Sequence, residues 1–285
     1  MGVMKKRLRD RYDGRLIRSL DPFYKIIPYI MPTRLSAQVF FDEVLDADVI
    51  EDYIRAKRAA GYKNFGFLHV LIAATVRVLS QHPKLNRFVA GHKIFARNEI
   101  LISFVIKKKL REDSSETTVK LSFKPEDTIF EVFEKVSFEV QNNKDEKINN
   151  SVDHLTRLFM LCPGFLVKIA IGFLKSLDKR GLMPKTINRL SPLHTSVFVT
   201  NVASLGIQPI YHHLYEIGTT SIFIAFGMKR KHEGSEVKYI PLKIVADERI
   251  ADGYAFASAF KMFKSIFKHP EKLDHKPERV VSDIE

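Results

Sequence analysis

"DERIADG", residues 247–253, is the stretch on which the fold of this chain turns. It follows the apolar run Ile240 to Ala246, whose β-branched content reads as the end of a strand. From Gly253 to about Phe267 the apolar residues recur at helical spacing. The seven residues are therefore a strand-to-helix junction near the C-terminal end of the sequence.

Working outward, further strands are expected at Ser196–Val202, Ser221–Met228 and Val237–Ala246. Upstream, "LSAQVFFDE" from Leu35 to Glu43 alternates like a strand, and Asp46 then caps a helix with Val49, Ile50, Tyr53 and Ile54 on one face. Gly61 ends it. A second helix spans Phe65 to Gln81 and stops at Pro83. Strands follow at Arg87–Phe95 and Ile100–Lys108, joined by "ARNE", with another at "TTVKLSF". Asp127 opens a helix carrying Ile129, Phe130, Phe133 and Val136. "QNNKDEKINN", residues 141–150, reads as a linker or a surface loop. Two apolar helices then lead to "PKTINRLSP". Strands and helices alternate irregularly, which implies an α/β (α+β) mixed-sheet sandwich with flanking helices rather than a doubly wound fold. Residues 1–30 read as a basic arm, 31–268 as the folded domain and 269–285 as a polar tail.

At 285 residues, 45% apolar and 28% charged, the chain has the makings of a substantial core. A single cysteine, Cys162, excludes an intrachain disulfide framework and fits a reducing compartment; its apolar setting, "LFMLCPGF", implies burial. The net charge of +13 points to anionic company, yet the sequence has no zinc-finger spacing, aromatic RNA-binding strand or long basic helix, so nucleic acid is not implied. "MGVMKKRLRDRYDGR" lacks the apolar segment of a secretory signal. The most apolar stretch, residues 158–174, is interrupted by Lys168 and by Pro163–Gly164, short of the roughly 20 apolar residues a spanning helix needs. A buried helix is expected there, with peripheral membrane contact as the alternative. The localisation these features imply is cytoplasmic.

The sequence carries no G-x-S-x-G, phosphate-binding loop, dinucleotide fingerprint or H-E-x-x-H motif. His212 and His213 are adjacent and would face opposite ways on a strand, so no metal site is implied.

Three segments carry a resemblance. "DERIADG" resembles the D-H-R-x-x-D-G motif of the catalytic domain of 2-oxoacid dehydrogenase acyltransferases, and the related H-x-x-x-D-G motif of chloramphenicol acetyltransferases. "SVFVTNVASLGI", residues 196–207, resembles that family's F-T-I-S-N-L-G-x-x-G strand and turn. "HPKLNRFVAGHKIFARNEILISFVI" resembles its helix end and following strands. Their order and separations also fit, so the resemblance spans about residues 33–268.

The resemblance implies a homotrimer of chloramphenicol acetyltransferase-like fold, with active sites in channels between subunits. Coenzyme A or an acyl-CoA would enter from one side and the acceptor from the other. In the family a neutral histidine takes the acceptor's proton as it attacks the thioester. A Ser or Thr hydroxyl hydrogen-bonds the oxyanion, a contribution of roughly 2.7–4 kcal/mol in other enzymes. An aspartate–arginine ion pair holds the loop. Carried over, Thr200 takes the hydroxyl's place beside the matching Asn201, Asp252 is the structural aspartate, and Arg34 stands as its arginine. Gly253 lets the helix start pack close to the loop. Glu248 occupies the histidine's place.

A free glutamate titrates near about 4.3, against about 6.5 for histidine and about 8.5 for a thiol. Burial raises carboxylates to about 6–7 in other enzymes. Two readings follow. Glu248 serves as the base of an altered acyl transfer, or the chain is a non-catalytic binding, regulatory or scaffolding protein in which Glu248 pairs with Arg249 or Lys243. About 30 residues precede the acyltransferase-like segment, with no "DKA" lipoyl hairpin among them. The expected acceptor is therefore a free small molecule, or a carrier on another chain.

Overall fold

The computed structural model describes residues 7–107, 116–143 and 161–285. Strand β1 (Gly14–Leu16) and helix α1 (Pro22–Ile30) lead to the long strand β2 (Gln38–Asp46). Asp46 then accepts the amides of Asp48 (2.9 Å) and Val49 (3.4 Å), starting α2 (Ala47–Ala59). Helix α3 (Phe67–Gln81) opens differently. Its cap is Gly66, whose amide donates to Nδ1 of His69 at 3.0 Å. Strands β3 (Arg87–Ala90), β4 (Lys93–Arg97), β5 (Ile100–Lys107) and β6 (Glu116–Phe123) follow, then α4 (Ile129–Asn142). Beyond 161 come α5 (Gly164–Lys179), α6 (Lys185–Leu190), β7 (Val197–Asn201), β8 (Ile222–Phe226), β9 (Arg230–Lys231), β10 (Lys238–Asp247) and α7 (Gly253–Lys268).

The central sheet runs β2-β10-β8-β7-β5-β6, with β9 added to β10. Its core, β5-β7-β8, is parallel, and the outer pairs are antiparallel. Alternation along the strands separates two faces. Val197, Val199, Ile222, Ile224 and Ile244 pack in the main core with α3, which is buried from His69 to Ser80, and with α7. Phe198, Phe223 and Val245 point the other way, against Leu214. At β2 that second face is open: Phe40 and Val44 are 55% and 51% exposed.

The expected single strand Arg87–Phe95 is instead a hairpin, β3 and β4, in a second, small sheet with β1. Its two-residue turn is Gly91 (φ 54°) and His92 (φ 59°), the pair of left-handed residues that a right-twisted hairpin requires. A Cβ at Gly91 would also lie 2.6 Å from the Lys179 carbonyl. The α4 cap is Thr128, one residue past the expected Asp127, because Glu131 receives the Thr128 amide at 2.8 Å and closes a capping box.

Residues 7–30, within the stretch expected as an arm, contribute β1 and α1. In the expected tail, Asp274 binds Lys57 and Tyr53, and Asp283 pairs with Arg87. Cys162 is exposed, not buried. Helix α5, expected to be buried, exposes Phe165, Ile169 and Phe173. Residues 144–150 of the expected linker, 158–160 of the apolar stretch and the first six residues lie outside the described residues. Among the described residues no helix is long and apolar enough to cross a membrane.

Candidate functional site

The junction after β10 is built from charges removed from water. Asp247 is fully buried, and both its oxygens are held by Arg249, at 2.8 Å from Nε and 2.7 Å from Nη2. Arg249 also donates to the Met31 carbonyl (2.9 Å), tying the junction to the end of α1. After one 3-10 turn, Asp252 caps α7 by accepting the Ala255 amide at 2.8 Å. Its second oxygen binds Lys84 at 2.9 Å. The Lys84 hydrogen bond, aided by the Ala255 amide, holds Asp252 below the usual carboxylate range. Gly253, the first residue of α7, has open space around its Cβ position, so no close contact requires a glycine there.

Glu248 is the exposed residue in this frame, and among the described residues no cation pairs with it. Arg249 is spent on Asp247, and Lys243 on Asp42. Nor is Arg34 the partner of Asp252. Arg34 is buried elsewhere, donating to the carbonyls of Val89 (3.3 Å) and Tyr215 (3.5 Å), while Lys84 takes the aspartate. Of the loop's two aspartates, Asp247 is held by Arg249 and Asp252 by Lys84, and Arg34 pairs with neither.

Thr200 and Asn201 end the inner strand β7, at the opposite end of the sheet from the junction. Thr200 is level with Ala225 of β8, which is level with Lys243 of β10. Asp247 lies four residues farther along β10, about 13 Å at the rise of a strand. One chain therefore does not bring Thr200 and Glu248 together. By alternation Thr200 shares the open face with Phe198, and Asn201 faces the helices. On that helical side a groove of about 610 Å³ opens at the ends of β7 and β8, floored by Phe67, Phe226 and Gly227 and rimmed by Arg55, Arg58 and the paired Lys229 and Glu51.

A buried cluster without a sequence signal lies between α5 and the loop before β7. Ser191 Oγ is 2.8 Å from His194 Nδ1, and His194 Nε2 is 3.1 Å from Asp178, which Arg11 also binds at 2.8 Å. These are the residue types of a hydrolase triad, but His194 is 1% exposed and the acid is shared with a guanidinium. The cluster is a tether, not a reacting centre. Burial works to raise the Asp178 pKa, and the bonds from His194 and Arg11 overcome it, leaving the acid at about 2. Among the described residues no group of three His, Cys, Asp or Glu side chains is arranged to hold a metal ion.

No protein-family model and no curated protein matches the sequence. Solved structures do match. A probable dihydrolipoamide acetyltransferase from Listeria monocytogenes 4b F2365 is 16% identical with a TM-score of 0.56, over 94% of this chain and 99% of that one. A truncated catalytic core of the 2-oxoacid dehydrogenase multienzyme complex from Thermoplasma acidophilum is 14% identical with a TM-score of 0.54, over 90% and 99%. A chloramphenicol acetyltransferase is 11% identical with a TM-score of 0.55, over 89% and 99%. The chain thus has the acyltransferase fold that its three sequence segments imply.

Proposed function

We propose that this chain transfers an acyl group from a coenzyme A thioester to a small-molecule or carrier-borne acceptor, with Glu248 in place of the histidine used by the enzymes it resembles. The observation that carries the reading is the construction of the junction. Asp247, Arg249 and Asp252 are all fixed by ion pairs or caps, and the residue they leave facing solvent is Glu248. Because Thr200 lies at the other end of the sheet, a site using both residues is formed between two copies. The open face at Phe40 and Val44 supports such an assembly, as a homotrimer. The groove beside Asn201 has the volume for such a thioester. Arg58 on its rim, without a carboxylate partner among the described residues, is the cation available to a phosphate, since Lys229 pairs with Glu51 and Arg55 with Asp52.

In this reading the acceptor S–H, O–H or N–H gives its proton to the Glu248 carboxylate as the sulfur, oxygen or nitrogen attacks the thioester carbonyl. The tetrahedral oxyanion accepts a hydrogen bond from Thr200 of a neighbouring copy. Collapse breaks the C–S bond, and the departing thiolate takes the proton back from Glu248. A second reading, a non-catalytic binding or scaffolding protein, is favoured by one feature. The aspartate–arginine pair expected to hold the loop is absent, replaced by Lys84–Asp252.

The deciding experiment follows thiol release from acetyl-CoA and longer acyl-CoAs with thiol and amine acceptors, alongside a coenzyme A titration. Loss of turnover in Glu248→Gln and Thr200→Ala supports the carboxylate mechanism. A silent wild type that gains activity as Glu248→His has an intact channel without its base. No turnover and no coenzyme A binding would sink the acyl-transfer reading.

A further inference from the structure

Arg34 poses a problem that the junction does not solve. It is 7% exposed, yet no carboxylate among the described residues lies within ion-pair distance of it. Its two carbonyl contacts, at 3.3 and 3.5 Å, are long, and Nε has no partner at all. The acid nearest in charge, Asp247, is saturated by Arg249, and Glu216 is occupied in part by the Leu35 amide at 3.0 Å. A guanidinium has five donors in a rigid fork. Burying one with so little compensation is unfavourable, and desolvation accordingly lowers its pKa.

This arginine does not sit in solid core. It lines a cavity of about 370 Å³ between the segment after α1, the β3–β4 turn and α5. Three further cations line the same space: Arg249, which is paired with Asp247, and Lys175 and Lys179, one turn apart on α5 and without a carboxylate partner among the described residues. The acids on its wall do not balance them. Asp178 is hydrogen-bonded by His194 and by Arg11, a guanidinium it shares with Asp13, so Asp178 and Glu216 are the two acids that face Arg34, Lys175 and Lys179. The wall is firm as well, since the Gly91–His92 turn rests on the α5 end and His92 stacks on Tyr29 at 4.9 Å.

We infer that this cavity binds a small molecule through an oxyanion, a carboxylate or phosphate whose paired oxygens meet the Arg34 fork while Lys175 and Lys179 complete the charge. The volume is at the small end of ligand sites. The site is separate from the groove at the Thr200 end, and the inference does not rest on acyl transfer.

The test is calorimetric titration and thermal melting of the full chain at constant ionic strength, with sodium phosphate and sodium acetate as probes exchanged against chloride. Saturable heat and a saturable rise in Tm are expected with at least one probe, and the better probe identifies the class of oxyanion. Charge reversal at Lys175→Glu with Lys179→Glu, on the helix surface, should weaken binding at least tenfold. Arg34→Gln should abolish binding while leaving the anion-free Tm unchanged or higher, because it removes an uncompensated buried charge. The inference is overturned if neither probe gives a saturable signal, or if the lysine and arginine variants bind as wild type does.

Discussion

The two ends of the central sheet are built on different principles. At the β7–β8 end, Thr200 and Asn201 stand beside an apolar-floored groove whose cations lie on its rim. At the β10 end, charge is inside: Asp247 and Arg249 form a desolvated pair, Asp178 is clamped by Arg11 and His194, and Arg34 lines a second cavity. The first end owes its shape to packing, and the second owes it to buried ion pairs, with Arg34 a buried charge there that lacks such a partner among the described residues. Residues that the sequence motifs group together are thus divided between a tolerant end and an intolerant one. If they act together, they do so across two copies.

The largest contrast is in stability. Breaking the buried pair with Arg249→Met leaves Asp247 uncompensated and should cost about 3–5 kcal/mol. Thr200→Val, at a half-buried strand position with a β-branched replacement, should change stability by less than about 1 kcal/mol. Urea midpoints for both variants check this. Equal effects would erase the distinction between the ends.

The ends also part in pH. His69, which closes the α3 cap beside the groove, is held neutral by burial, with its pKa lowered to about 4 despite the Gly66 bond. The unfolded chain binds this proton more readily, so stability is full above about pH 6.5 and falls as pH drops toward 4. The loss between pH 7 and 5 is about 2 kcal/mol. At the other end Asp178 has a depressed pKa of about 2. Its contribution is complete above about pH 4 and disappears only as pH falls through 2. Burial also lowers His82 and His212, so thermal melts from pH 7 to 5 should lose part of their slope in His69→Gln and keep it in Asp178→Asn. The Asp178→Asn deficit relative to wild type should begin to close only below pH 4.

How much of this is legible in the sequence depends on the range of the interactions involved. The strands of the central sheet were readable because each buries alternate residues, as Val197, Phe198 and Val199 do, and a period of two is a local signal. The β3–β4 hairpin was not, since "RFVAGHKIF" is apolar on both sides of a turn that needs a left-handed histidine, and histidine gives little warning of that conformation. The choice of Arg249 over Arg34 for Asp247, and of Lys84 for Asp252, depends on distances between segments far apart in the chain. No spacing rule reports these distances. Hydropathy failed in the opposite direction at α5, where an apolar helix expected to be interior carries Phe165, Ile169 and Phe173 outward.

The smallest effect on stability is expected at the residue on which the proposed function rests. Glu248 is exposed and, among the described residues, unpaired, so Glu248→Gln and Glu248→His should each melt within about 0.5 kcal/mol of wild type. A side chain that contributes nothing to the fold is free to be chosen for chemistry, whereas its neighbours Asp247 and Arg249 are constrained by the pair they form. If Glu248→Gln is destabilised by 2 kcal/mol or more on the scale of a lost buried charge pair, then the carboxylate is holding the loop together. In that case the junction supplies structure at all of its charged positions, and the base of any acyl transfer must be sought elsewhere.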